Sequence, residues 1–373
     1  MAKISVPPAR VVTSLPGRND ECWCGSGKKF KKCHLDRAKS EPTREPVIRR
    51  EMTREFERAS ACMHPRAPSE CSGGIIRAHT VQRATSLAAI ASNGHVIRLN
   101  SETRSPERIG VREASTFRGF CEHHDGTLFK ALDTRAFSGS REQLALLGFR
   151  ATAQELHKKQ SALRAQSLIR KTDAGRSVIS QIEMQNYFDS AAFGAHLGLQ
   201  DMQVEKQRWD AELVDPANVE ALIVPLPKDY PMRCTGTCAP EFDFGGTRRQ
   251  SLDEQLLANW TYSIHSASNG VFAVMAWLGP SPIVQRMVDS FCSLPHSLQG
   301  EALGRLALTH FENTFISENW WSSLTPSARD EAARIVGTFD PRGDELIPSG
   351  SLPFPNLTEP VQTLRAVAPS EPK

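Results

Sequence analysis

Three cysteines and a histidine fall within thirteen residues near the N-terminus, in the run Cys22-Trp23-Cys24-Gly25-Ser26-Gly27-Lys28-Lys29-Phe30-Lys31-Lys32-Cys33-His34. So short a stretch buries almost nothing, but four soft or borderline ligands on two arms suit tetrahedral zinc, whose binding energy would then fold the segment. Gly25 and Gly27 tolerate positive φ and permit the tight reversal that returns the second arm to the metal. Lys28, Lys29, Lys31 and Lys32 offset the charge of a three-thiolate site and leave a basic face.

The other cysteines extend the metal reading. The chain has nine, an odd number, and six of them (Cys22, Cys24, Cys33, Cys62, Cys71 and Cys121) lie in its basic third beside histidines. In a cytosolic chain that pattern reads as metal binding and not as disulfides. Cys234 and Cys238 lack a second nearby pair, so no third site is expected there. The 373 residues allow two or three domains, at roughly 150 residues each, with cores that need no covalent staples. With 39% hydrophobic and 23% charged residues, the composition fits neither a disordered polymer nor a membrane protein. The longest apolar stretch, Gly270 to Leu278, is far shorter than the roughly 20 residues that span a bilayer, and no signal-peptide pattern follows Met1. The expectation is a soluble, cytoplasmic protein with no membrane partner.

The net charge of +3 conceals two halves of opposite sign. Residues 1–170 carry 30 Lys and Arg against 17 Asp and Glu, whereas residues 171–373 carry 15 against 25. A basic half of this kind is the footprint of a polyanion binder, which makes nucleic acid, DNA or RNA, the expected partner. The stretch Gly17–His34 resembles the SEC-C motif, the zinc-binding tail of the SecA C-terminal type. That resemblance implies zinc ligation by Cys22, Cys24, Cys33 and His34. It also implies a portable contact module able to dock a protein partner.

From Cys62 the order is Cys62, Cys71, then Ile75-Ile76-Arg77-Ala78-His79, and later Cys121-Glu122-His123-His124-Asp125. Two ligand pairs bracketing a strand that ends in histidine resemble the HNH endonucleases, with their zinc-braced ββα-metal module. The resemblance implies a structural zinc on Cys62, Cys71, Cys121 and His124. It implies His79 as general base, and Asp125 as a holder of catalytic Mg²⁺ or Mn²⁺. Ala78 stands where many members place a metal ligand, and the middle Asn has two candidates, Asn93 and Asn100, with His95 between them. His64 and His123 remain alternative ligands; Cys62-x-His64 could replace Cys71.

Downstream, Leu144, Leu147, Leu156, Leu163 and Ile169 recur at helical spacing, and a further helix is expected near 204–213. Residues 221–225 read as a short buried strand. Residues 260–264 and 271–277 also read as strands, followed by helices from Ile283 and Gly300. The cluster Phe311, Phe315, Trp320 and Trp321 reads as core or as a base-stacking surface. The expected fold class is α+β. It comprises an N-terminal tail (1–16), a zinc knuckle (17–37), a linker (38–60), an HNH-like zinc module (61–135), a helical region (136–220), a C-terminal α+β domain (221–341) and a disordered tail (342–373). The expected function is a zinc-containing, nucleic-acid-binding protein acting as an HNH-type endonuclease with about two zinc ions, for which bacterial defence is a fitting setting. The alternative is a non-catalytic protein that docks a partner through the knuckle.

Overall fold

The computed structural model describes residues 8–58, 61–254, 256–337, 342–357 and 361–364. The first seven residues of the expected N-terminal tail, and residues 358–360 and 365–373 of the expected C-terminal tail, lie outside the described residues. In chain order the helices are α1 (Glu45–Glu57), α2 (Ala88–Ile90), α3 (Glu122–Leu128), α4 (Lys130–Thr134), α5 (Arg141–Ile169), α6 (Val178–Glu212), α7 (Pro282–Cys292), α8 (His296–His310), α9 (Glu318–Ser323) and α10 (Pro326–Ile335). The strands are β1 (Ile75–His79), β2 (His95–Leu99), β3 (Pro106–Gly110), β4 (Thr116–Cys121), β5 (Val219–Leu226), β6 (Met232–Cys238), β7 (Trp260–Ala267), β8 (Gly270–Leu278), β9 (Thr314–Ile316) and β10 (Gln362–Leu364). The protein is thus a mixture of helix and sheet, in two units: residues 4–59 with 156–203, and residues 60–155 with 204–373. None of the described helices is long and apolar enough to cross a membrane.

The larger unit is built on an antiparallel eight-stranded sheet in the order β10-β5-β8-β7-β6-β9-β2-β3. Alternation sorts its side chains. Met232, Cys234, Tyr262, Ile264, Ala273 and Met275 face one core with residues of α7, α8 and α10. Arg233, Thr235, Thr237 and Ser263, one residue out of phase, are buried on the opposite face. There the first half of α5 is held by Thr152 Oγ1 to Thr237 Oγ1 at 3.2 Å. Both faces are covered, which is why β5 and β8 read as nearly continuous apolar runs. Helix starts follow local chemistry: Ser281 and Thr325 cap α7 and α10, each with proline in the first turn.

Three expectations need correction. Residues 61–135 do not stand apart from residues 221–341, because β2 and β3 leave the zinc segment to extend the large sheet beyond β9. The helix expected near 204–213 is the end of α6, which begins at Val178. Its apolar residues lie on several sides of the helix and leave no single stripe to read. The tail from Arg342 is ordered where described, and Leu346, Leu352, Phe354 and Leu357 are buried in the main core. Its prolines set an extended path, and glycines on α8 make room for it. A Cβ at Gly304 would lie 2.2 Å from the Phe354 ring, and one at Gly300 would lie 2.2 Å from the Pro355 carbonyl oxygen.

Candidate metal centres and the adjoining cleft

The knuckle forms as its glycines require, with Gly25 at φ 73° and Gly27 at φ 69°. Cys22 N donates to Lys28 O at 2.8 Å and Cys33 N to Phe30 O at 3.0 Å, closing both arms around buried Phe30. Cys22, Cys24, Cys33 and His34 converge into one group able to hold a metal ion. Cys22 Sγ and Cys33 Sγ each lie 3.2 Å from His34 Nδ1, and Cys24 Sγ lies 3.6 Å from Cys33 Sγ. Tetrahedral zinc with bonds of about 2.0–2.3 Å spaces its ligand atoms by about 3.3–3.8 Å, so the donor set and its spacing fit zinc. The four lysines are all exposed.

Sequence reasoning missed the group behind His34. Its Nε2 lies 2.9 Å from Oδ2 of Asp173, a wholly buried carboxylate in the turn after α5. Asp173 also accepts from Arg37 Nε, and from Gln185 Nε2 at 2.6 Å. The second ring nitrogen of a zinc-ligating histidine usually has such a partner, which fixes the tautomer and leaves Nδ1 for the metal. Burial pulls the free imidazole down, but the hydrogen bond to Asp173 and the neighbouring thiols hold it at about 9. Burial likewise raises the Cys24 thiol, yet the contact with His34 brings it to about 6.

The second group lies in the larger unit. β1 pairs antiparallel with β4, Ile75 opposite Cys121 and His79 opposite Thr116, with an irregularity between Ile76 and Ala78. α3 follows β4 directly, capped by Cys121, whose sulfur accepts from His124 N at 3.5 Å. Cys62, Cys71, Cys121 and His124 converge there, with the three sulfurs at 3.4, 3.6 and 3.3 Å from His124 Nδ1. The spacing again fits zinc. The two Cys/His groups together could hold two zinc ions. His64 stands outside the cluster, stacked on the His124 ring at 3.8 Å, and its Nδ1 accepts from Arg66 N. His123 is exposed on α3 and shares a cavity of about 480 Å³ with His64 and His124.

Next to ligand His124, at Asp125, the chain enters a cleft of about 420 Å³ lined by Ile76, Arg77, His79, Gln82, Arg83, Ala84, Thr85, Asp125, Asp133 and Arg150. The two sequence candidates for catalysis, His79 and Asp125, therefore share one cavity. His79 Nε2 lies 3.2 Å from the Val111 carbonyl oxygen, which can only accept a hydrogen bond, so in the neutral ring Nε2 carries the proton and Nδ1 does not. Burial, aided by Arg83 and Arg150, moves the imidazole below its ordinary value against the effect of Val111. Asp125 Oδ1 is buried without a hydrogen-bond partner among the described residues, and burial raises its carboxyl group while Arg150 opposes the shift. Of the candidates for a middle asparagine, none lines the cleft. Asn100 bonds Glu107 at 2.7 Å, and Asn93 turns the chain into β2, its carbonyl meeting His95 Nδ1 at 2.8 Å.

Elsewhere the sequence candidates are structural. Phe311 and Phe315 are buried, and Trp320 and Trp321 pack against the main core. Trp320 Nε1 donates to Pro353 O at 3.1 Å, which ties the aromatic cluster to the tail segment. Cys238 Sγ accepts from Trp260 Nε1 at 2.8 Å.

Comparison with known families matches the SEC-C motif to residues 18–36, the span of the knuckle. No solved structure matches the chain.

Proposed function

We propose that the protein is a zinc-containing, nucleic-acid-binding phosphodiesterase of HNH type. The observation that carries this reading is that His79 and Asp125 meet in one cleft beside the second cysteine-histidine group, with the Val111 carbonyl fixing the His79 tautomer. In the proposed reaction a water oxygen bonds to phosphorus while His79 Nδ1 takes the water proton. The bond from phosphorus to the leaving sugar oxygen breaks, and that oxygen is protonated from solvent. Desolvation keeps the imidazole neutral and so able to accept the proton at neutral pH. Asp125, with an unpartnered buried oxygen, suits a divalent cation such as Mg²⁺ or Mn²⁺. Such a cation would supply positive charge to the phosphorane and the leaving oxygen. The basic N-terminal half would hold the backbone of DNA or RNA.

Removing a general base costs about 10²–10⁴ in rate. His79→Ala should therefore abolish detectable cleavage of plasmid or RNA in Mg²⁺ or Mn²⁺, with zinc content and melting temperature nearly unchanged. A wild type that cuts neither substrate, or a variant that cuts normally, would sink the mechanism. A second reading, docking of a protein partner by the knuckle, is favoured by the match at residues 18–36 and the exposed lysines. A pull-down that survives nuclease treatment and requires Cys24 would select it.

A further inference from the structure

The cleft holds a side chain that the proposed chemistry does not use. Arg150 is the only charged residue between Glu142 and Glu155, in the run Gln143-Leu144-Ala145-Leu146-Leu147-Gly148-Phe149-Arg150-Ala151-Thr152-Ala153-Gln154. On α5 it is 4% exposed, with its guanidinium 3.9 Å over the Phe129 ring. Asp133 Oδ1, 3.7 Å from Nη1, makes a long ion pair with it, and the Asp125 charge also acts on the guanidinium. Its Nε has no partner among the described residues.

An arginine cannot shed its charge in a protein, and burying a cation without hydrogen-bonded compensation is strongly unfavourable. The aromatic face beneath Arg150 offsets part of that cost. What the site leaves unpaired is the Nε–H of a guanidinium that lines a cavity large enough for a phosphate group. The planar N–H pairs of a guanidinium match two oxygens of a phosphate. The sign of the cleft agrees, since Arg77, Arg83 and Arg150 outnumber Asp125 and Asp133.

We propose that Arg150 is the phosphate-binding arginine of this cleft, gripping a non-bridging phosphodiester oxygen of a nucleic-acid backbone. The proposal rests on the nuclease reading for its choice of a diester, but it makes its own claim about binding. Arg150 acts beside His79 and not through it: the guanidinium holds the phosphate while the imidazole takes the proton.

The test uses the full, zinc-loaded chain and a fluorescent 12-nucleotide single strand, read by anisotropy without added Mg²⁺ or Mn²⁺. Arg150→Gln should weaken binding about tenfold to a hundredfold. It should also reduce the slope of log affinity against log salt by about one. Arg150→Lys, which keeps the charge but not the fork, should bind about tenfold more weakly at an unchanged slope. Either variant, folded and holding its zinc, that binds like the wild type would overturn the proposal. Should Arg150→Gln fail to fold, Arg150→Lys alone decides. If binding depends on Arg150 but the wild type cuts nothing, the arginine assignment stands and the nuclease reading falls. If cleavage requires His79 while Arg150→Gln retains normal kcat/KM, the nuclease reading stands and this proposal falls.

Discussion

Asp173 offers the sharpest test of how the knuckle is held. Its carboxylate is wholly buried and accepts from His34, Arg37 and Gln185. Asp173→Asn keeps the shape but removes the charge, and puts an amide N–H group where one oxygen now accepts. Losing the partner of a zinc-bound histidine typically costs 10–100-fold in metal affinity, or about 1.4–2.7 kcal/mol. Asp173→Ala goes further, leaving three donors without an acceptor and Arg37 without its carboxylate. Breaking a buried ion pair from one side costs about 3–5 kcal/mol, so this variant should also lower the melting temperature. The assay is zinc competition against a chromophoric chelator in a Cys121→Ser background, where only the knuckle can bind tightly. Metal analysis should find about two zinc ions in the wild type and one in that background. Unchanged zinc affinity in folded Asp173→Asn would refute the idea that this carboxylate supports the site.

Two further outcomes follow from the larger unit. Burial holds His265 at about 3 and His310 at about 4, so both are neutral when folded. The unfolded chain binds those protons near pH 6.5, so folding stability falls as pH drops below that value, by up to about 1.4 kcal/mol per pH unit for each histidine. His265→Phe should flatten the decline of melting temperature between pH 6.5 and 4, and an unaltered slope would contradict this account. Phe354 stacks on Tyr230 at 5.4 Å and lies 4.8 Å from Trp320. Phe354→Ala should therefore cost about 3–5 kcal/mol in urea unfolding, whereas a tail without a fixed place would give no change.

Legibility in the sequence tracked how local each feature is. The knuckle could be read because its ligands and glycines sit within one short loop whose geometry the metal dictates. The second group was readable as pairs, since Cys62 with Cys71 and Cys121 with His124 flank strands that alternation already marks. Asp173 left no trace, being 139 residues from the histidine it orients. The Val111 carbonyl is backbone and has no sequence signature at all. Arg150 did leave one, a lone charge within an apolar helical run, and that signal could have been used. The joining of β2 to β9 was unreadable because it rests on a single registered pair, Ile97 with Ile316. Pairing so distant in sequence is set by the packed core and not by local pattern.

One side chain shows why the zinc segment and the sheet work as one body. Asn313, buried at the start of β9, directs its Nδ2 at Thr80 Oγ1 and Gln154 Oε1, both at 3.0 Å, and at Thr235 O at 3.3 Å. Thr80 directly follows His79, and its hydroxyl also bonds Ser115 Oγ at 2.7 Å beside β4. Gln154 lies one helical turn beyond Arg150, and Thr235 lies in the central strand β6. A single buried amide thus fixes the strand end bearing His79, the helix bearing Arg150 and the sheet in one frame. A buried network holds its geometry only while every member is satisfied. Zinc at Cys62, Cys71, Cys121 and His124 would brace α3, which bears Asp125, and, through the pairing of Ile75 with Cys121, the strand that ends in His79. The Val111 carbonyl that meets His79 follows β3 in the large sheet, and Asn313 ties the residue after β1 to β6. The spacing of His79, Asp125 and Arg150 is therefore set jointly by the metal site and the large core.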